Sequence, residues 1–377
     1  MNYRCSGLQL AHSLRGMSRH RCAKWGVAQL RTLCGGGLPG HQSSALLSTN
    51  KHGCAQVSSE SRESIVGTYA VKRKELIPEA SPPSDHDLRD LYRFVEESQN
   101  LVVVTGAGIS TESGIPDYRS PNGAYSSGFK PITHQEFLRT AATRRRYWAR
   151  SYAGWRQFMA AEPGPTHRAL AQLESKGRVM RIITQNVDRL HHRAGSTNAI
   201  ELHGTTHRVF CLGCGELTDR HKFQQRVCDL NPDWAAAVEA LEKGEPGSDA
   251  SFGMKQRPDG DIEIDSRFFQ EDFLVPACEQ CGGVLKPDVV FFGDNVPKAR
   301  AEEAMELVMS SDAVLAVGSS LTVMSVFRLI RAAIERGSPV GIVNIGPTRA
   351  DELASLKIEA RSGEVLSRLL TMGSLAI

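Results

Sequence analysis

Nowhere does this 377-residue chain approach 18 consecutive apolar residues, the length a helix needs to cross the hydrocarbon core of a bilayer. The stretch 1–59 contains no Asp or Glu, against seven Lys or Arg: Arg4, Arg15, Arg19, Arg21, Lys24, Arg31 and Lys51. The same segment lacks the unbroken apolar stretch of a secretory signal, because a basic residue recurs every few positions. Acid-free, Arg-rich and Ser-rich, this leader is expected to be a mitochondrial transit peptide that forms a basic amphipathic helix for import into the matrix. The competing reading is a basic tail for nucleic acid or anionic lipid. The net charge of +3 comes from the leader; the remainder holds 38 basic and 42 acidic residues, a net charge of −4.

A disulfide framework is missing as well. Of nine cysteines, Cys5, Cys22, Cys34 and Cys54 fall in the leader, four more form two close pairs, and Cys228 is left over. That usage suits a reducing compartment and points to metal binding. The pairs are Cys211-x-x-Cys214 and Cys278-x-x-Cys281, with the stretch 215–277 between them. Two such knuckles supply four thiolates to one zinc ion. A four-thiolate site is closed to water, so this zinc is expected to be structural and the chemistry to lie elsewhere. A zinc module over about 208–284 would then interrupt the fold, carrying an acidic insert at 226–273.

The chain as a whole, at 41% hydrophobic and 23% charged, holds enough for a full α/β core. Residues 60–84, with Pro78, Pro82 and Pro83, read as a linker. Ser84 or Asp85 can cap a helix whose Leu88, Leu91, Phe94 and Val95 share one face and which ends near Asn100. The apolar run at 101–104 breaks at Gly106-Ala107-Gly108, as a buried parallel strand does on entering a tight turn. Similar runs recur at 179–184, 288–292, 313–317 and 340–343, with helical patterns at 301–309 and 323–336. The fold class expected is therefore a Rossmann-like, doubly wound parallel sheet, over about 85–207 and 285–377, with the small zinc domain inserted. In such a sheet ligands bind beyond the strand C-termini, where the glycine turn, Gln185-Asn186-Val187-Asp188, Gly318-Ser319-Ser320 and Asn344-Ile345-Gly346 all fall. The glycine turn alone is a weak signal. Thr111 stands where a dinucleotide fingerprint has its third glycine, and a plain strand-to-helix turn would look the same. Backbone amides from Ala107 onward can nonetheless cradle a pyrophosphate, with Arg119 adding a charge-assisted bond.

Taken together, Gly-Ala-Gly-Ile-Ser, Gly-Ile-Pro-Asp-Tyr-Arg-Ser, Gln-Asn-Val-Asp, the Leu-His-Gly at 202–204, both knuckles, Gly-Ser-Ser and Asn-Ile-Gly resemble the sirtuin family, in its order, over 88–370. The stretches at 286–294 and 344–349 are similar to class II, the branch of the mitochondrial fourth sirtuin. The resemblance implies that Gly106, Ala107, Gly108, Asp117 and Arg119 hold NAD, with Tyr118 covering the nicotinamide ribose. It places Gln185, Asn186 and Asp188 at the nicotinamide, Gly318, Ser319 and Ser320 at phosphate and ribose, and Asn344, Ile345, Gly346 and Ser362 at the adenosine half. Val290, Phe291, Phe292 and Gly293 would pair with a substrate peptide.

His203 would act as the base, accepting a ribose proton after the acyl-lysine oxygen has displaced nicotinamide, and Asn186 would help draw nicotinamide away. The implied activity is an NAD-dependent protein-lysine deacylase, on lipoyl, long or branched acyl groups more than acetyl, or a protein mono-ADP-ribosyltransferase. Its partners would be acylated or ADP-ribosylated mitochondrial proteins, with no nucleic acid and no membrane insertion. Tyr125 could begin a Tyr-x-x-Arg pair for acidic acyl groups, but position 128 is Gly. His191, His192 and His207 have no matching context and are expected at the surface or at helix caps. Two other readings stand: a catalytic zinc hydrolase in which His203 joins fewer than four Cys, and a non-catalytic NAD or ADP-ribose-binding regulator.

Overall fold

The computed structural model describes residues 76–243, 255–258, 260, 262–263 and 272–376. The expected leader at 1–59, most of the linker and much of the 226–273 insert lie outside the described residues. Six strands form one parallel sheet: β1 (Leu101–Thr105), β2 (Arg181–Thr184), β3 (Ala199–Glu201), β9 (Ala313–Val317), β10 (Val340–Val343) and β11 (Leu356–Ile358), in the order β11-β10-β9-β1-β2-β3. Between them in sequence come β4 (Gly204–Cys211), β5 (Leu217–Asp219), the hairpin of β6 (Lys255–Gln256) and β7 (Ile262–Glu263), and β8 (Leu285–Val289).

Alternation along β1 builds the two faces of the large sheet. Leu101 and Val103 pack with Leu315 and Val317 under helices Asp85–Glu97, Pro165–Ser175 and Ser362–Leu369. Val102 and Val104 pack with Val314 and Ala316 under helices Lys298–Ser310 and Met324–Glu335. All five β1 side chains are fully buried, as a strand covered on both faces requires. Each large apolar side chain so buried contributes roughly 1.5–3 kcal/mol, and an aspartate at Val103 would forfeit that and bury a charge. Local signals set the helix entries. Ser84 and Asp87 form a reciprocal capping box at helix Asp85–Glu97, and Pro165 opens helix Pro165–Ser175, where its missing amide donor costs nothing.

One expectation needs correction. The run at 288–292 is not a strand of the parallel sheet. Its first residues end β8, which pairs antiparallel with β4 in a separate three-stranded sheet, β5-β4-β8. The paired strands of this small sheet begin at Gly204 and end at Val289 among the described residues. An apolar run at this spacing specifies a strand but not its partner, which here is chosen by the register Cys211 to Leu285 and Gly204 to Val289. An aromatic core, Trp148, Phe223, Phe137 and Phe291, joins this sheet to helix Ala141–Ala160, whose Trp148 Nε1 donates to the Leu285 carbonyl at 3.1 Å.

Candidate active site

The winding of the large sheet reverses between β1 and β9, and the crevice beyond their C-termini is the floor of a cleft of about 1220 Å³. Here two backbones touch. The Gly108 amide donates to the Gly318 carbonyl at 2.9 Å, and the Gly106 amide donates to that of Val317 at 3.2 Å. A Cβ on Gly108 would stand 2.8 Å from the Gly318 oxygen, and one on Gly106 would stand 2.7 Å from the Ser319 Cβ. Gly318 itself has φ of 59°, and a Cβ there would meet the Ile109 nitrogen at 2.6 Å. The glycines are thus required by close approach, although the third glycine of the usual fingerprint is absent. Gly106 stands behind this wall, whereas Ala107 and Gly108 line the cleft.

Beyond β2, the Gln185 carboxamide donates to the Thr105 carbonyl at 3.1 Å and to Ser319 Oγ at 2.7 Å, tying three strand ends together. Buried Asn186 donates through Nδ2 to the Gly106 carbonyl (3.1 Å) and to Ser110 Oγ (3.0 Å). Ser110 donates in turn to Asp188 Oδ2 at 2.7 Å, while Oδ1 accepts from the Leu190 amide at 2.9 Å. Asp188 therefore both holds the site and caps the next turn. Burial pushes its carboxyl up from the ordinary value, partly offset by those two donors. Backbone strain borders the same loops: Arg189 and Leu321, neither a glycine, have φ of 62° and 54°.

His203 follows β3 and precedes β4. Its Nε2 lies 2.8 Å from Ser325 Oγ, in the first turn of helix Met324–Glu335. Burial lowers its pKa to about 4, opposed by a bond to the Gln185 backbone and assisted by nearby Arg300. With the ring proton on Nδ1 and held by the Gln185 backbone, the Nε2 lone pair would be left for the Ser325 hydroxyl. Ser325 went unnoticed in the sequence, because nothing local relates it to a residue 122 positions away.

Of the three histidines expected at the surface or at helix caps, His191 is buried, while His192 and His207 are part-exposed. His191 is 1% exposed, its Nε2 lies 2.9 Å from Thr105 Oγ1, its ring stands 5.0 Å from that of buried His167, and burial lowers its pKa to about 3. Leu190 and His191 turn inward together on the short helix Leu190–Arg193, which a polar His-His-Arg string does not reveal. His192 is half-buried with its Nδ1 4.0 Å from Glu201. His207 packs edge-on against Trp155 and lies 3.3 Å from the Asp188 carbonyl.

Around the rim, Asp117 uses Oδ1 to accept from the amides of Arg119 (2.9 Å) and Ser120 (2.8 Å), so it shapes its own loop. Tyr118 packs on Tyr125 and Phe292, and Arg119 lies over the Tyr125 ring at 5.4 Å. Beyond β10, Asn344 donates to the carbonyls of Ile345 (2.8 Å) and Gly346 (3.2 Å), and Ser362 Oγ lies 2.8 Å from Thr166 Oγ1. Asn344, Ile345, Gly346, Ser319, Ser320 and Ser362 all line the cleft, as do Val290, Phe291, Phe292 and Gly293 beside His203. The last four are not a regular strand. Val290 donates to the His203 carbonyl at 2.8 Å, and Phe292 makes a single parallel bridge to Thr133. Among the described residues, the Val290 carbonyl and the Gly293 amide have no hydrogen-bond partner.

Cys211, Cys214, Cys278 and Cys281 come together at the far end of β4 and β8, their sulfurs all within 4.8 Å of one another. Two of the separations are 3.4 Å (Cys211 to Cys281) and 3.7 Å (Cys214 to Cys278). Metal–sulfur bonds of about 2.3 Å give tetrahedral edges of about 3.8 Å, so the set fits a structural zinc ion. His203 is not a member of it.

The Sir2 family model matches residues 106–325. "NAD-dependent protein deacylase SRT2" of Arabidopsis thaliana is 61% identical over 307 residues, 81% of this chain and 82% of its own. "NAD-dependent protein lipoamidase sirtuin-4, mitochondrial" of Homo sapiens is 47% identical over 290 residues, 76% of this chain and 87% of its own. Among solved structures, a "Sir2-p53 peptide-NAD+" complex superimposes with a TM-score of 0.54 at 28% identity, covering 77% of this chain and 99% of that one. With its switch-point glycines, histidine and four-cysteine cluster arranged on such a match, the chain belongs to the Sir2 family, the sirtuins.

Proposed function

We propose that this protein is an NAD-dependent protein-lysine deacylase of the mitochondrial matrix. It would remove lipoyl, long or branched acyl groups in preference to acetyl, and transfer ADP-ribose to protein as a second outcome of the same chemistry. One observation carries the proposal: His203, neutral and partnered at Nε2, faces a cleft with a backbone-contact glycine floor on one side and an unpaired peptide edge on the other. Ala107, Gly108, Gln185, Asn186, Ser319, Ser320, Asn344, Ile345 and Ser362 would hold NAD. Bound there, NAD supplies a ribose carbon activated by its cationic nicotinamide leaving group.

The protein's own groups are pre-set for the remaining work. With a pKa of about 4, His203 is deprotonated at neutral pH, and its Nε2 would accept a proton from a ribose hydroxyl arriving where Ser325 now donates. Asn186 is locked by Gly106 and Ser110, so its carboxamide is oriented before any ligand enters. The Val290 carbonyl and Gly293 amide offer β-type pairing to an extended peptide. Ile115, Val187, Leu202, Phe291, Val296 and Met305 line the cleft around them, which favours an apolar acyl chain. Gly128 supplies no cation for an acidic one. The names of the human and bovine relatives, mitochondrial lipoamidases, agree with this acyl class and compartment.

Incubation with NAD and a panel of acyl-lysine peptides, reading nicotinamide and product mass together, tests the proposal. Lipoyl- or long-acyl-lysine should be consumed with one nicotinamide released per acyl group, and His203→Ala should lose that turnover. If no acyl or ADP-ribosyl group moves with wild type, the activity is disproved. If His203→Ala matches wild type, the assigned base is wrong.

A further inference from the structure

The peptide edge at 290–293 is held from beneath by a lysine that the fold buries. Lys286, in β8, is 2% exposed. Its ammonium donates to the carbonyls of Val289 and, at 3.4 Å, of Pro287, and stands 4.3 Å from the centre of the Phe291 ring and 5.4 Å from that of Phe210. It lies 3.6 Å from Asp294 Oδ2, the same oxygen that lies 3.1 Å from His134 Nδ1, while Asp294 Oδ1 accepts from the Asn295 amide at 2.9 Å. The segment is also pinned from the side, since the His134 amide donates to the Phe292 carbonyl at 2.9 Å and Gln135 Nε2 to that of Gly293 at 3.1 Å.

Stability alone does not call for this cation. Moving an ammonium into a protein interior costs several kcal/mol, and an apolar side chain of the same length often replaces a buried ion pair with no loss of stability. What a methionine cannot supply is simultaneous bonds to the carbonyl before the edge and the carboxylate after it. Those two contacts fix both ends of a short segment that has little regular pairing of its own.

We propose that Lys286, acting through Asp294, is a positioning residue that sets the 290–293 backbone in the register that receives substrate peptide. The inference rests on the peptide-deacylase reading above. It predicts an effect on the peptide and not on the dinucleotide, because Lys286 does not line the cleft and its contacts are confined to the peptide side.

The test uses the full chain, with Lys286→Met, Lys286→Arg and Asp294→Asn. Peptide affinity is measured by fluorescence anisotropy with a labelled acyl-lysine peptide, and KM for peptide and NAD is measured separately. Lys286→Met should weaken peptide binding and raise peptide KM about tenfold, with kcat and KM for NAD changed less than about threefold and the thermal midpoint not lowered. Lys286→Arg should recover part of the loss. Asp294→Asn, at a part-exposed side chain, should reproduce it in weaker form, and its thermal midpoint is read alongside because it leaves the Lys286 ammonium without its carboxylate. Peptide affinity within twofold of wild type in both Lys286→Met and Asp294→Asn would overturn the inference, as would a parallel rise in KM for NAD. If wild type binds peptide without turning it over, the deacylase reading fails while the positioning role is still decided by affinity; if wild type binds no peptide, both fail.

Discussion

Burial of His191 makes the fold acid-sensitive by an amount that can be worked out. The side chain is 1% exposed, and burial lowers its pKa from 6.5 to about 3. Below pH 6.5 the unfolded chain takes up a proton there that the folded chain refuses. Stability is therefore fully present above pH 6.5 and is lost progressively as the pH falls from 6.5 through about 3. At pH 5 the unfolded state has gained about 1.5 pH units of protonation free energy, or about 2 kcal/mol. Glutamine at this position keeps a polar partner for Thr105 but does not titrate. Urea unfolding of wild type and His191→Gln at pH 7.5 and pH 5.0 gives a difference of differences, in which contributions shared by both proteins, the thiolates among them, cancel. Wild type should lose about 2 kcal/mol more than the variant on acidification. Equal losses in the two proteins would refute the reasoning, even if the variant is less stable at both pH values.

Three more substitutions probe the site directly. Gly108→Ala places a Cβ 2.8 Å from the Gly318 oxygen, with backbone on both sides and nothing flexible to yield; it should destabilise by about 1–3 kcal/mol and abolish NAD binding by calorimetry, whereas unchanged affinity would show that the two turns can part. Ser325→Ala removes the hydroxyl 2.8 Å from His203 Nε2 and with it one anchor of the ring, so turnover of acyl-lysine peptide should fall about tenfold with the fold intact by circular dichroism; unchanged turnover would exclude Ser325 as a positioning partner. Cys281→Ser leaves three thiolates, and metal analysis should show bound zinc lost together with cooperative unfolding of the 204–289 unit, an outcome that full zinc content would contradict.

Much of the large sheet was legible because its strands obey short-range rules. β1, β2, β9 and β10 are short, largely apolar runs ending at glycine or polar residues, and that pattern located four loops that do line one cleft. Pairing was less legible. The segment at 288–292 has the same apolar character as β9, yet it ends an antiparallel strand, a choice made by contacts with β4, far upstream in the chain. His191 was misplaced for a related reason: its partners Thr105 and His167 lie on other elements, so its local sequence shows only polarity. Ser325 carries no motif, and Lys286 opens the 286–294 stretch without that stretch revealing what it does, since both roles are written in long-range distances and in the cost of burial.

The small sheet has a mechanical consequence. β4 leaves His203 at one end and reaches Cys211 at the other, across a register shift that fits it to the four steps of β8 from Leu285 to Val289, about 13 Å at the usual rise per residue, while β8 returns from just past Cys281 to the base of the peptide edge. The two strands are paired at both ends, Gly204 with Val289 and Cys211 with Leu285, so they form one ribbon between the cysteines and the cleft. Because Val290 also donates to the His203 carbonyl, a displacement at the cysteine end would carry the histidine and the peptide edge together, as one body.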